Sequence, residues 1–466
     1  MRKFIYLLAF CSLLLTNCDD LEVTDRANLP EELILATTDG YQALLNAAYE
    51  SVNDFNYYGQ QMMIGPEILA DNMDLINQTG RYEGEFVNAV NSGIGIWAAR
   101  YNAINECNII IETIDNESVE GDAATKTSLK AQAYFLRALF YHDMARTYGY
   151  EPGREVNGFN LTVPLKLNAT QGLSGAVDLP RATNTEIYTQ IIDDLQTAIP
   201  NLPSVTAGTS NTKFASAQAA RLLLARVFLY QGNTTGAATQ AQSVITGDGT
   251  DLIQAANYAA AWDDGTNSFN PESLFESEIL GPDWSGVDGF NNSLHSLLSN
   301  DKSGSQFIIT ASAELVAEVN ANPTDVRSAL FSTEVQGQEF QKWQGNGIEP
   351  FMENVPIMRL SEAYLIAAEA LGPGAGDAIF NAFRAQRGLT GTLSATVDNV
   401  LRERRIEFMA EGHRWFDLKR LGRDIPKPAT AIGITSLPYS DFRILPRIPQ
   451  GDLELSNELV NNPGYE

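Results

Sequence analysis

Between Lys126 and Tyr148, apolar residues recur every three or four positions, and they do so on two faces at once. Leu129, Ala133, Leu136, Phe140, Met144 and Tyr148 form one stripe, and Tyr134, Phe135, Leu139 and Tyr141 fill a second. A helix that is apolar on two faces must be covered on both, so it packs between neighbours. That requirement restricts the chain to an assembly of stacked helices. Residues 214–231 repeat the pattern with Phe214, Ala217, Ala220, Leu224 and Phe228. A break at Gly232 and Asn233 leads into a second helix over 237–245. The pair reads as a helix hairpin with small residues at the contact, as in tetratricopeptide units, although no fixed repeat period can be assigned. The spacing predicts further helices over 40–53, 97–114, 184–199, 357–371, 376–387 and 398–411. Thr183 and Glu186 supply an N-terminal capping signal for one of them.

Long stretches rich in Gly, Asn, Asp and Pro separate these helices: 54–96, 150–182, 247–356 and 422–466. Loops of this length in a compact protein are functional or contain further structure. The stretch 247–356 is expected to form a smaller mixed subdomain. The 466 residues suit one large helical domain or two to three ordinary ones.

The N-terminus reads as a leader. Arg2 and Lys3 precede an apolar run, Phe4 to Leu15, too short to span a bilayer but of signal-peptide length. It ends Leu15-Thr16-Asn17-Cys18, which resembles a bacterial lipoprotein box, so residues 1–17 are expected to be removed and Cys18 lipidated. Asp19, Asp20 and Glu22 follow directly, like the surface-export signal of Bacteroidota lipoproteins, and 18–36 is expected to be a tether. No later run is long enough to cross a membrane. Cys107 would be the one thiol left besides Cys18, so no intramolecular disulfide is expected, and its apolar helical setting marks it as a small core residue. The net charge of −27, more negative still without Arg2 and Lys3, repels nucleic acid and anionic lipid, which excludes both as partners.

Several motifs occur in order along the chain. Residues 355–371 (VPIMRLSEAYLIAAEAL), 380–389 (FNAFRAQRGL), 402–421 (RERRIEFMAEGHRWFDLKRL) and the C-terminal LPRIPQGDLELSNELVNNPGY resemble segments of the SusD/RagB family. So do 97–108, 130–149, 180–195 and 215–230. The resemblance covers most of the chain after the leader. It implies a mainly α, SusD-like fold: four tetratricopeptide-type helix hairpins on one side, and an irregular loop-rich part that carries the ligand site, all within 37–466. It also implies a protein anchored in the outer membrane and facing the exterior. Such a protein captures oligosaccharide, or in some members peptide, and passes it to a TonB-dependent, SusC-like transporter without catalysis.

In the most diagnostic stretch, Arg404, Glu407 and Glu411 lie three and four residues apart, so they could pair along one helix face, with Gly412 at the helix end. A structural ion network is the expected role for them. The three histidines, His142, His295 and His413, are far apart and show no metal-ligand spacing. No nucleophile elbow, phosphate loop or dinucleotide fingerprint stands out, so no cofactor or metal is expected. Asp263 to Asn267 reads as a solvated turn rather than a calcium loop.

Sugar binding needs flat apolar faces with amides and carboxylates around them. Trp284 is the first candidate, with Asn291 in the same glycine-bearing loop. Tyr57, Tyr58, Tyr82, Asp71 and Asn72 are further candidates from the first long loop. Packing under its own loop is the competing role for Trp284. Trp97, Trp262 and Trp415 are expected in the core. Two rival functions are a glycoside hydrolase, needing two carboxylates across a cleft, and a helical-repeat scaffold that binds only proteins or peptides.

Overall fold

A computed structural model describes residues 35–465, apart from 77–78, 172–176, 248, 250, 263–267, 285, 333–337, 346–350. The leader, Cys18, most of the tether and the turn at Asp263–Asn267 lie outside the described residues.

Eleven helices position the site, labelled here in chain order: α1 (Thr38–Asn53), α2 (Gln61–Ile68), α3 (Trp97–Thr113), α4 (Ala123–Tyr148), α5 (Asn184–Ala198), α6 (Ala217–Tyr230), α7 (Thr234–Gly247), α8 (Leu360–Leu371), α9 (Asp377–Ala385), α10 (Val397–Glu407) and α11 (Arg414–Arg420). Contacts run α1 to α3, α3 to α4, and onward in order through α5, α6, α7 and α8 to α9. These are the four hairpins α1/α3, α4/α5, α6/α7 and α8/α9. The order follows from the two-faced helices, because each must be covered by the one before and the one after.

Helix α4 is the extreme case: every residue from Phe135 to Tyr148 is buried. Its charged groups are therefore paired. Arg137 donates two hydrogen bonds to Asp194, at 2.8 and 2.7 Å, and Arg146 binds Asp143. Asp122 caps the helix by accepting from the Thr125 N–H. The capping box at Thr183 and Glu186 is formed at the start of α5. Cys107 is fully buried, as are Trp97, Trp262, Trp343 and Trp415.

Three of the boundaries that differ from the spacing have a specific cause. Helix α6 starts only after Ser216, which accepts from the Ala219 N–H, so Phe214 stands outside the helix. Residues 357–359 are strand: Val355–Arg359 pairs antiparallel with Ser273–Ser277, and the ladder continues in the Leu360 N–H to Glu272 carbonyl bond. Helix α10 stops at Glu407, and the chain turns through Ala410 (φ 60°) and Gly412 (φ 77°) before α11. Gly412 is required there, since a Cβ would lie 1.7 Å from the Met62 carbonyl oxygen.

The long loops are tied down by short antiparallel pairs. Met73–Leu75 pairs with Ile309–Ala311, and Leu161–Pro164 with Arg181–Thr183. Strands of 247–356 thus pair both with the first long loop and with the segment entering α8. No helix among the described residues is long and apolar enough to cross a membrane.

Candidate functional site

The charged residues of the diagnostic stretch meet in the interior. Arg359, at the end of the strand before α8, binds Glu411 through both carboxylate oxygens, at 2.8 and 2.6 Å. Its third nitrogen reaches Glu272 at 3.0 Å and Glu407 at 3.1 Å. Arg387 binds the same Glu272 and Glu407 at 2.8 and 2.9 Å. Lys342 donates to Glu411 and to the carbonyls of Glu407 and Met409. Burial alone would push the Glu407 carboxyl up, but Arg387, Arg359 and Arg327 hold it well below the usual range. Burial brings the Lys342 ammonium down to about 8, against the pull of Glu411.

The expected pairing along one face of α10 does not occur. Arg404 binds Asp417 of α11, which also receives Arg420, while Glu407 and Glu411 take partners from distant segments. The helix ends before Glu411, and buried arginines elsewhere offer forked donors that a neighbour on the same helix cannot match. His413 is stacked on Phe408 at 4.4 Å. Burial, and then the Arg404 charge, keep its ring far below its usual pKa, so it is neutral. Each carboxylate of the network meets a buried cation, which is the behaviour of a scaffold.

Four of the seven candidate ligand residues have their polar atoms engaged by buried charged groups. Asp71 binds Arg414 at 2.7 Å and Arg405 at 2.9 Å. Asn72 is fully buried; it donates to Glu67 at 2.6 Å and accepts from Arg405 at 2.8 Å. Tyr57 and Tyr58 are buried, and both hydroxyls donate to the same Asp143 oxygen, at 2.5 and 2.8 Å. The Arg100 guanidinium lies 3.9 Å above the Tyr57 ring. The physical reason is the same in each case: the polar atoms of these side chains are used to satisfy buried charges.

The other three, Trp284, Tyr82 and Asn291, converge. The loop that follows α1 turns back on itself so tightly that a Cβ on Gly59 would lie 2.5 Å from the Asn53 carbonyl oxygen. The same hypothetical Cβ would lie 2.6 Å from the Trp284 ring, which also meets Phe55 edge-on at 6.2 Å. Trp284 is only 6% exposed. It therefore underlies the loop, and Phe55 and Tyr82 offer the partly exposed rings. Next to Gly59, the Gln60 amide accepts from the Tyr82 hydroxyl at 2.8 Å and donates to the Asn292 carbonyl at 2.8 Å. Arg81 donates to the Asn291 carbonyl at 2.6 Å, and Gln306 to the Asn291 side chain at 3.2 Å.

Tyr82 has φ 62°, a strained conformation for a bulky residue, of a kind that clusters where a side chain must be held for a purpose. The surface so built combines aromatic rings with amide and guanidinium groups. Phe55, Gln60 and Arg81 were not singled out in the sequence. The signal available was adjacency alone, since Gly59-Gln60 and Arg81-Tyr82 carry no periodicity. Among the described residues no group of three His, Cys, Asp or Glu side chains could hold a metal ion.

Residues 30–229 match the family profile SusD-like_3, described as starch-binding associating with outer membrane, and 302–465 match that of the SusD family. SusD-like protein P2 of Formosa agariphila is 26% identical, with both chains covered in full. A putative sugar binding protein of Bacteroides vulgatus superposes with a TM-score of 0.80 at 26% identity, over 92% of this chain and 99% of that one. A laminarin binding SusD-like protein superposes with a TM-score of 0.73 at 24% identity, over 92% and 99%.

Proposed function

The chain belongs to the SusD/RagB family, and from that premise we propose that it captures oligosaccharide at the cell surface and hands it to a TonB-dependent outer-membrane transporter. In this reading residues 1–17 are a leader, Cys18 carries the lipid, 18–36 is a tether and 37–466 is the binding domain. The protein is anchored in the outer membrane, faces the exterior, and binds without catalysis. The SusD family is associated with the outer membrane, and the similarity to a putative sugar binding protein and to a laminarin binding protein supports a carbohydrate ligand.

The observation that carries the reading is the convergence on Gln60 of three segments distant in sequence, of which the third meets it at the end of a short helix, Gly286–Asn292, where a loop was expected. It sets the partly exposed Tyr82 ring beside Arg81, which reaches the Asn291 carbonyl, and the partly exposed Phe55 ring edge-on to the buried Trp284. Rings of this kind match the C–H faces of sugars, and the amides match their hydroxyls.

The test is native electrophoresis of the chain from residue 19 in gels containing laminarin, starch or xylan, with reducing sugar assayed alongside. Retardation by one polymer without release of sugar is expected. Release of sugar would point to the hydrolase, and no retardation by any polymer would contradict carbohydrate capture.

A further inference from the structure

A second cleft, of about 240 Å³, opens between α1 and the segment before α6. Phe214 stands on its wall. It is 39% exposed, although a phenylalanine two residues before a helix cap has no need of solvent. Its ring meets Tyr49 edge-on at 5.5 Å, and the Lys213 ammonium lies 5.7 Å from its centre. Tyr49 is fixed from both sides, since its hydroxyl donates to Gln132 and accepts from the Ala215 N–H, each at 2.8 Å. Phe214 is therefore held by an anchored ring and is not a loose surface residue. On the opposite wall, Asn53 donates to the Glu278 carbonyl at 2.9 Å, and Lys213 pairs with the Glu278 carboxylate at 2.6 Å.

Glu50 lines the same cleft and is exposed. Partial burial, and then the charges of Asp283 and Asp54, push its carboxyl up. Those two residues connect this cleft with the Gln60 cluster. Asp54 lies between Asn53, a cleft residue, and Phe55, and Asp283 directly precedes Trp284. The two surfaces are adjacent along both chain segments.

We infer that this cleft is a second saccharide seat continuous with the loop cluster, in which an uncharged sugar ring lies on Phe214 and donates its hydroxyls to Glu50. The inference rests on the carbohydrate reading above and deepens it by naming the class of glycan. A hydroxyl donating to a carboxylate makes a strong, short bond. A sulfate group or a uronate's carboxylate could donate none there, and it would meet Glu50, Asp54 and Asp283, while the one cation among the described cleft-lining residues, Lys213, is already engaged by Glu278. Chains long enough to reach both seats gain from each.

The test uses the chain from residue 19. Neutral polymers (laminarin, starch, xylan) and polyanionic ones (alginate, carrageenan) are compared in native gels at low salt. Long fragments of the retained polymer are then titrated calorimetrically into wild type, Phe214→Ala, Glu50→Ala and Tyr82→Ala, with melting followed in parallel. Retention by a neutral polymer is expected. Phe214→Ala is expected to lose about tenfold in affinity, as for an aromatic anchor, and Glu50→Ala, at an exposed helix position that tolerates alanine, several-fold. If Tyr82→Ala weakens binding while Phe214→Ala and Glu50→Ala leave it unchanged, the second seat is refuted and the first stands. Retention by polyanions alone refutes the class of glycan. Retention by neither class overturns this inference together with the reading beneath it.

Discussion

Arg359 holds Glu411 through two parallel hydrogen bonds, 2.8 and 2.6 Å long, with both side chains buried. The contact joins the strand entering α8 to the turn between α10 and α11. Removing one partner leaves the other charge buried and uncompensated, which costs about 3–5 kcal/mol. Arg359→Ala is therefore expected to lower the urea midpoint strongly. A variant as stable as the parent that has lost glycan binding would assign this network to the ligand instead.

Trp415 is 4% exposed and sits in the same stretch. Trp415→Ala is expected to cost about 3–5 kcal/mol, the range for a large buried ring, read by the same denaturation curves. A loss under about 1 kcal/mol would mean that the ring is not part of the packed scaffold.

The hairpins were legible because helix periodicity survives in the sequence wherever a helix is buried on two faces. The failures have specific causes. Ile357 and Met358 continue the apolar pattern of α8, yet they lie in a strand, because the backbone of Ser273–Ser277 competes for their hydrogen bonds. Phe214 fits the stripe of α6, but Ser216 caps the helix after it. Two partners of Glu407 and Glu411 were invisible, since Arg327 and Lys342 come from the irregular part of the chain. Tyr57 and Tyr58 resemble Tyr82 in their polar surroundings. What separates them is Asp143, a buried acceptor on α4 that no local pattern announces.

His142 is buried between Tyr188 and Tyr230, with Asp143 3.8 Å away, too far for a hydrogen bond. Burial, with Arg146 and Arg226 nearby, brings the ring down to about 4 despite the opposing Asp143. The unfolded chain then binds the extra proton between about pH 6.5 and 4, so stability is full above that window and falls as pH drops through it. Between pH 7.5 and pH 5 this site accounts for about 2 kcal/mol. His413 acts in the same direction, and Glu67, raised to about 7 by burial, acts in the opposite one. Comparing wild type with His142→Phe isolates the single site. The variant is expected to lose less stability on acidification, and an identical loss would refute a neutral buried ring.

Anchoring is tested at Cys18. Cys18→Ala is expected to release the protein from the membrane fraction into the soluble one. Retention through high-salt washing would contradict the lipid anchor.

The most direct test of the account separates the ligand surface from the scaffold at Tyr82. The chain from residue 19 is titrated calorimetrically with the neutral polysaccharide that retains it, alongside Tyr82→Ala, and melting temperatures are recorded for both. Tyr82 is half-buried and strained at φ 62°, so alanine removes an aromatic contact without opening the core. The account predicts an affinity loss of about tenfold with little change in melting. Unchanged affinity for Tyr82→Ala, in a chain that still binds the polymer, would contradict the placement of the ligand on the Gln60 cluster.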